Sequence, residues 1–287
     1  MLWVLYSLLS AFAFSTADAF TKKASDAIDH NILALSRFLY GVPIALLMLS
    51  FAQIPRIWPG FWSVMAVIIP LEILAWTLYI KAIRESQLSL VAPIISFTPV
   101  FLVATSFLII GELPNLLGFA GILLVASGAY ILNFRTLRHG IFDPITSIFR
   151  EKSSLYMLIV AFLFSITSTL SKITVQKSSA MFSSAAYLIA MSLCFFAISF
   201  FKSRSKMPQL KTHARDLAPI GLFYGSMAIF HNLAITLTLV PYMMSIKRTS
   251  SIFSVFYGHF WFKEHNMKNR MSGALIMLIG AILIILS

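Results

Sequence analysis

The sequence predicts an all-α integral membrane protein of ten transmembrane helices, arranged as two inverted five-helix repeats. Three observations carry this. Hydrophobic residues fill 59% of the 287 positions and charged residues only 11%, against about a quarter charged in a soluble domain. Stretches such as 86–111, 113–134 and 178–201 contain no Asp, Glu, Lys or Arg, and a hydrocarbon core of about 30 Å takes roughly 20 residues to cross. The two halves of the chain also align with each other, polar on polar and small on small.

The composition excludes much else. A soluble domain would need more charged surface. The net charge of +12 and pI near 10 could suggest nucleic acid, but the cations sit in short connectors between apolar runs and form no basic stripe. The single Cys194 allows no internal disulfide and no cysteine-based zinc site.

Span one covers 2–20. Its Ala17-Asp18-Ala19 resembles a signal-peptidase site, but no Lys or Arg precedes the apolar run, so the span reads as retained. Span two, 30–51, carries Arg37. Span three, 61–82, carries Pro70 and Glu72. Span four, 88–110, holds Pro93 and Pro99 and stops at Gly111-Glu112. Span five, 114–133, carries Gly121 and Gly128. The connector 134–153 separates a first repeat, 1–133, from a second, 154–287. Spans six and seven cover 154–173 and 181–201. The uncharged run 217–246 is too long for one helix, and Val240-Pro241 divides it, since proline suits a helix's first turn. Span eight is therefore 216–238, span nine 241–262 and span ten 269–286.

A shift of 152 lays residues 75–134 on 227–286 with ten identities in sixty, and both segments read Glu-x8-Gly-x6-Gly, at Glu112, Gly121, Gly128 and at Glu264, Gly273, Gly280. A shift of 150 superposes Phe12, Phe14, Ser15 and Lys22 on Phe162, Phe164, Ser165 and Lys172. Five spans per repeat is an odd number, so the repeats must be inverted, as in transporters with a midplane site between halves. The four glycines read as close helix-packing positions. Sixteen Lys and Arg fall in the loops after odd-numbered spans and three in those after even ones. The positive-inside bias then places both termini on the non-cytoplasmic side, and the basic loops attract anionic lipid headgroups.

Ten spans in two repeats, with Pro93-Ile94-Ile95-Ser96-Phe97-Thr98-Pro99, Gly111-Glu112, Gly121 and Gly128, and Lys263-Glu264, Gly273 and Gly280, resemble the drug/metabolite transporter superfamily, EamA type. The resemblance covers essentially the whole chain. It implies a secondary carrier that works by alternating access on amino acids, metabolites, drugs, nucleotide sugars or sugar phosphates. The ninth-span Lys247-Arg248 is similar to the pair with which triose-phosphate translocators bind substrate phosphate. Those carriers use a further Lys in span four, where this chain has Ile95.

Ionisable groups inside spans cost roughly 2.5–3.5 kcal/mol on insertion scales and ask for a partner or a role. They are Asp18, Arg37, Glu72, His231, Lys247 and Arg248, while Lys22, Lys81 and Lys172 lie near span ends and can snorkel. Lys247-Arg248 is the sharpest signal. With Met244, Ser251, Ser254, Val255 and Gly258 it shares one helical face, and Arg and Lys together suit a phosphate or carboxylate. Internal pairing with Glu72 is the structural alternative. Glu72 follows Pro70 and is either a proton-coupling carboxyl or a counter-ion for Arg37, Lys247 or Arg248. His231 can titrate near neutrality or simply pack. Asp18 and Lys22, four residues apart, suit a local ion pair. Glu112 and Glu264 suit capping of the helices that follow them. Trp58, Trp62, Tyr130, Tyr156 and Trp261 suit interfacial belts, and Trp76, Tyr79 and Tyr224 suit a cavity.

The function expected is secondary-active transport of a small organic anion, phosphorylated or carboxylated, through a cavity between the repeats of a plasma or inner membrane protein. Lys247, Arg248, Ser251, Ser254, Trp76 and Tyr79 would bind substrate, and Glu72, Arg37 and His231 would couple or counter-balance, with a proton or a counter-substrate as driving partner. An exporter of amino acids or amphipathic drug-like compounds, and a flippase of a lipid-linked phosphate, are the alternatives. No metal spacing, nucleophile elbow or phosphate loop is present, so neither an enzyme nor a cofactor is expected.

Overall fold

Each apolar run folds as helix, because backbone N–H and C=O groups in lipid must bond within their own segment. The computed structural model describes residues 1–25, 27–50, 55–85, 94–133, 151–261 and 268–287. The first half contains α1 (Leu2–Ala24), α2 (His30–Leu39), α3 (Val42–Ser50), α4 (Phe61–Glu85), a 3-10 turn (Ile94–Phe97), α5 (Thr98–Ile110) and α6 (Leu116–Asn133). The second contains α7 (Lys152–Gln176), α8 (Ala180–Lys202), a 3-10 turn (Arg204–Lys206), α9 (Gln209–Thr212), α10 (Ala214–Ile235), α11 (Val240–Lys247), α12 (Ser250–Phe260) and α13 (Lys268–Ile285). Among the described residues six stretches are long and apolar enough to cross a bilayer: 2–24, 30–50, 61–79, 152–176, 180–202 and 214–235. Ile94–Ile110, Leu116–Leu132 and Ser272–Ile285 are shorter apolar helical stretches. Pro93, Lys263, Glu264, His265 and most of the 134–153 connector lie outside the described residues.

Two expected continuous spans are interrupted. Span two divides at Tyr40-Gly41. There a Cβ on Gly41 would sit 3.0 Å from the Gly221 carbonyl oxygen and 3.2 Å from the Gly225 Cα, so the absence of a side chain lets the backbones meet. Span nine divides at Arg248-Thr249. Hydropathy is blind to both events, because neither changes the apolar count. Pro70 and Pro219, by contrast, lie inside unbroken α4 and α10.

The chain forms two compact units, each drawing on both halves of the sequence: residues 74–170 with 238–287, and residues 2–73 with 171–237. In the first, α6 and α13 pack through glycines. A Cβ on Gly121 would lie 2.7 Å from the Gly280 carbonyl oxygen, and one on Gly128 the same distance from that of Gly273. These are the four glycines of the sequence repeat, and they act as packing residues, as their spacing predicts. In the second, α1 packs on α10. Ser10 Oγ donates to Met227 O at 3.3 Å, and the Phe223 ring stands near both Phe12 and Phe20. Asp29 Oδ1 accepts from Asn31 N at 2.9 Å and Ser179 Oγ from Phe182 N at 3.2 Å, which caps α2 and α8.

Two local expectations change. Lys172 does not snorkel but is buried. Tyr130 is buried too, its ring 6.1 Å from that of Phe97, so it belongs to the core and not to an interfacial belt. Trp58, Trp62 and Trp261 are exposed as a belt requires.

Candidate functional site

The first unit holds the Lys247-Arg248 pair. α11 starts where Leu239 is extended and Pro241 enters the first turn. Glu112 Oε2 accepts from Val240 N at 2.9 Å. Glu112 thus caps a helix of the other sequence half, because the chain folds back and brings the α11 N-terminus to its carboxylate, while Asn115 Oδ1 accepts from Gly118 N at the start of α6. Asn115 N donates to Tyr242 Oη at 3.3 Å, tying the same end of α11 to the start of α6.

At the far end of α11 the backbone tightens. Arg248 N donates to Met244 O and Ser245 O, both at 3.1 Å; Thr249 N donates to Ile246 O at 3.0 Å, Ser251 N to Arg248 O at 3.0 Å and Ile252 N to Thr249 O at 2.9 Å. All of these but the Arg248–Met244 bond span three residues, which is 3-10 geometry. The sequence supplies the cause: Ser245 Oγ donates to Pro241 O at 2.8 Å and Thr249 Oγ1 to Ile246 O at 2.7 Å, and such back-bonding hydroxyls disturb a regular helix. The 3.6-residue face expected through 258 is therefore re-phased at the pair.

Arg248 is 8% exposed, and its Nε is buried with no hydrogen-bond partner among the described residues. Tyr79 is its electrostatic neighbour. The Tyr79 ring lies 5.3 Å from Trp76, which lies 5.6 Å from Phe164. Lys247 and Ser251 are half-buried. Ser254 is exposed, and its hydroxyl donates to Ser250 O at 3.1 Å. All six expected substrate residues, Lys247, Arg248, Ser251, Ser254, Trp76 and Tyr79, lie in this unit.

The expected coupling residues Glu72, Arg37 and His231 lie in the second unit. Arg37 Nη2 donates to Asp18 Oδ1 at 2.6 Å and to Thr21 Oγ1 at 2.9 Å. Asp18 thus answers a cation on another helix, beyond the local pairing its spacing from Lys22 suggests. The guanidinium stands over the Tyr224 ring, 5.3 Å from its centroid. Tyr224 Oη lies 3.4 Å from Tyr187 Oη, which donates to Glu72 Oε2 at 3.0 Å. Phe38 closes the cluster, its centroid 5.2 Å from Tyr224, 6.2 Å from Tyr187 and 5.1 Å from Phe195. Five helices, α1, α2, α4, α8 and α10, thus each send a polar group to one place. His231 is half-buried, and its neighbour Asn232 donates through Nδ2 to Ser184 Oγ at 2.8 Å.

Sequence reasoning missed Tyr187 and Asn232. Tyr187 carries a weak signal as the single tyrosine of the 178–201 run. Asn232 carries a stronger one, because an amide in lipid needs a partner.

The EamA-like transporter family matches residues 1–134 and 152–286. A comparison with curated proteins gives no match. A solved structure described as "Crystal structure of protein" is 15% identical, with 99% of this chain and 97% of that one covered, at a TM-score of 0.74. That likeness is one of fold, and it extends over the full length of both chains. The chain is thus an integral membrane protein of the EamA-like transporter family, within the drug/metabolite transporter superfamily, and not an enzyme.

Proposed function

We propose that this protein is a secondary-active transporter of a small organic anion, phosphorylated or carboxylated, whose ten spans form two inverted five-helix repeats (1–133 and 154–287) and work by alternating access. One observation carries the reading: Arg248 is buried and its Nε has no hydrogen-bond partner among the described residues. A buried cation with an unspent donor is costly unless something completes it. An anionic oxygen does so, since guanidinium offers several donors in one plane. Lys247 adds a second charge beside it, and Ser251, Ser254, Trp76 and Tyr79 contribute a hydroxyl and aromatic wall. Glu72, with Tyr187, Tyr224, Arg37 and His231, supplies the coupling group. The burial of Glu72 and the bond it accepts from Tyr187 Oη support that role.

Uptake into proteoliposomes with a panel of phosphorylated and carboxylated metabolites tests this. An active anion is expected to lose transport with Lys247→Ala plus Arg248→Ala. Glu72→Gln is expected to remove the response to an imposed pH gradient while leaving anion binding intact. Transport unchanged in the double variant overturns the anion site.

A second reading rests on the aromatic surround of Glu72, formed by Tyr187, Tyr224 and Phe38. Rings and a carboxylate suit an amphipathic cation. Tetraphenylphosphonium export that survives neutralisation of Lys247 and Arg248 but is lost with Glu72→Gln would favour that reading over the first.

A further inference from the structure

Two buried polar atoms sit at equivalent points of the two repeats. The shift of 152 that aligns the halves places Ser96 on Arg248 and Thr98 on Ser250. Thr98 is the first residue of α5 and Ser250 the first of α12. Both spans thus change from a tight turn to α-helix at the same register: span four through its 3-10 turn Ile94–Phe97, span nine through Arg248-Thr249. In neither does the N-cap residue, Phe97 or Thr249, make a side-chain capping bond. Ser96 is 1% exposed, and its Oγ, like Arg248 Nε, has no hydrogen-bond partner among the described residues.

The two positions lie in the same compact unit. Glu112, just past the end of α5, holds the first residue of α11, and α11 packs on α5. α11 therefore runs back along α5 toward the end where Ser96 lies. Ile95 and Phe97, on either side of Ser96, pack with Tyr79 around the cluster of Ala82, Ile94, Met157 and Val160. Tyr79 is also the electrostatic neighbour of Arg248. The chain neighbours of Ser96 thus pack against the same cluster as the residue that acts electrostatically on Arg248.

We propose that Ser96 is a second anion ligand, its hydroxyl donating to the same bound anion that Arg248 holds, so that the two repeats contribute one half each of a single cradle. This rests on the anion reading above and extends it to span four. The chemistry is that of a tetrahedral or planar oxyanion: a guanidinium takes one side and a neutral hydroxyl the other, which sets geometry without adding charge. A buried hydroxyl with no bond made is otherwise a net cost to the fold.

Binding of radiolabelled inorganic phosphate and of radiolabelled succinate to the purified full-length protein in detergent tests it. Wild type is expected to bind one of the two probes. Ser96→Ala is expected to weaken that binding about tenfold, the value of one hydrogen bond to a charged group, and Ser96→Thr to restore most of it. Without anion, Ser96→Ala should melt at the wild-type temperature or above, because no bond is lost, and the anion-induced rise in melting temperature should shrink. If Arg248→Ala abolishes binding while Ser96→Ala changes it less than twofold, the Ser96 assignment is wrong and the anion site stands. A melting temperature lowered by Ser96→Ala without anion would likewise make the hydroxyl structural. If wild type binds neither probe, or Arg248→Ala leaves binding intact, the anion site itself fails and Ser96 with it.

Discussion

Gly128 and Gly273 face each other with no side chain between them: a Cβ on Gly128 would lie 2.7 Å from the Gly273 carbonyl oxygen, and one on Gly273 would lie 2.6 Å from that of Gly128. Gly121 and Gly280 make the same reciprocal contact at 2.7 Å both ways. Under the repeat, Gly121 corresponds to Gly273 and Gly128 to Gly280. Exchanging the halves therefore maps each contact onto the other, the signature of a local two-fold relation.

Gly128→Val and Gly273→Val should each lower stability by about 1–3 kcal/mol or more, because the clash is with backbone that cannot rotate away. Gly111 is the control. It has φ +74 and open space around an added Cβ, so Gly111→Asn, which tolerates the left-handed region, should cost less than about 1 kcal/mol. Thermal unfolding in detergent measures both, and equal effects at Gly111 and Gly128 would refute the packing assignment.

The Arg37–Asp18 bond predicts an asymmetry. Asp18→Asn leaves a buried guanidinium without its charge partner and should cost about 3 kcal/mol or more. Arg37→Met together with Asp18→Leu removes both charges and should recover most of that loss. The same unfolding assay over the two single variants and the pair decides it, and additive losses would mean the two groups do not act together.

Tyr187 supplies a hydroxyl to Glu72 at 3.0 Å. Tyr187→Phe keeps the ring beside Phe38 but removes the donor, for an expected loss of about 1–3 kcal/mol. Tyr187→Phe in a Glu72→Gln background should cost less, because a neutral acceptor makes the weaker bond. No coupling between the two substitutions would separate Tyr187 from Glu72.

Membrane orientation is open to direct labelling. In a Cys194→Ser background, Gln176→Cys and Ser205→Cys place exposed thiols at the end of α7 and just after α8. The lysines and arginines around 202–215 predict a cytoplasmic position for that loop. A charged, membrane-impermeant thiol reagent should label Gln176→Cys in intact cells and Ser205→Cys only after permeabilisation. The reverse pattern would invert the assignment of both termini.

The sequence exposed those features that depend on local pattern. Pro241 marked the start of α11, and the register of four glycines marked the α6–α13 contact. The Lys247-Arg248 pair stood out because charge is rare in lipid. What it concealed depends on tertiary closure. Asp18 is four residues from Lys22, and nothing local announces a partner at Arg37. The interruption at Tyr40-Gly41 follows from the close approach of α10, and that at Arg248 from hydroxyls bonding backward, neither of which alters hydropathy. Ser96 looks like any serine in an apolar helix. Its interest comes from a bond not made, which only coordinates can display.

The interleaving of the two compact units constrains how the molecule is made. Residues 2–73 complete their unit with 171–237, and residues 74–170 complete theirs with 238–287. At about 5–20 residues per second, the ribosome emits the whole first half before α10 exists to receive α1. Arg37 can meet Asp18 early, but Tyr187 is made only when about two-thirds of the chain is out, and Tyr224 when about three-quarters is. The N-terminal helices therefore wait in the bilayer without their α8 and α10 partners. Quality-control proteases then have a window in which to act, and its length is set by chain order.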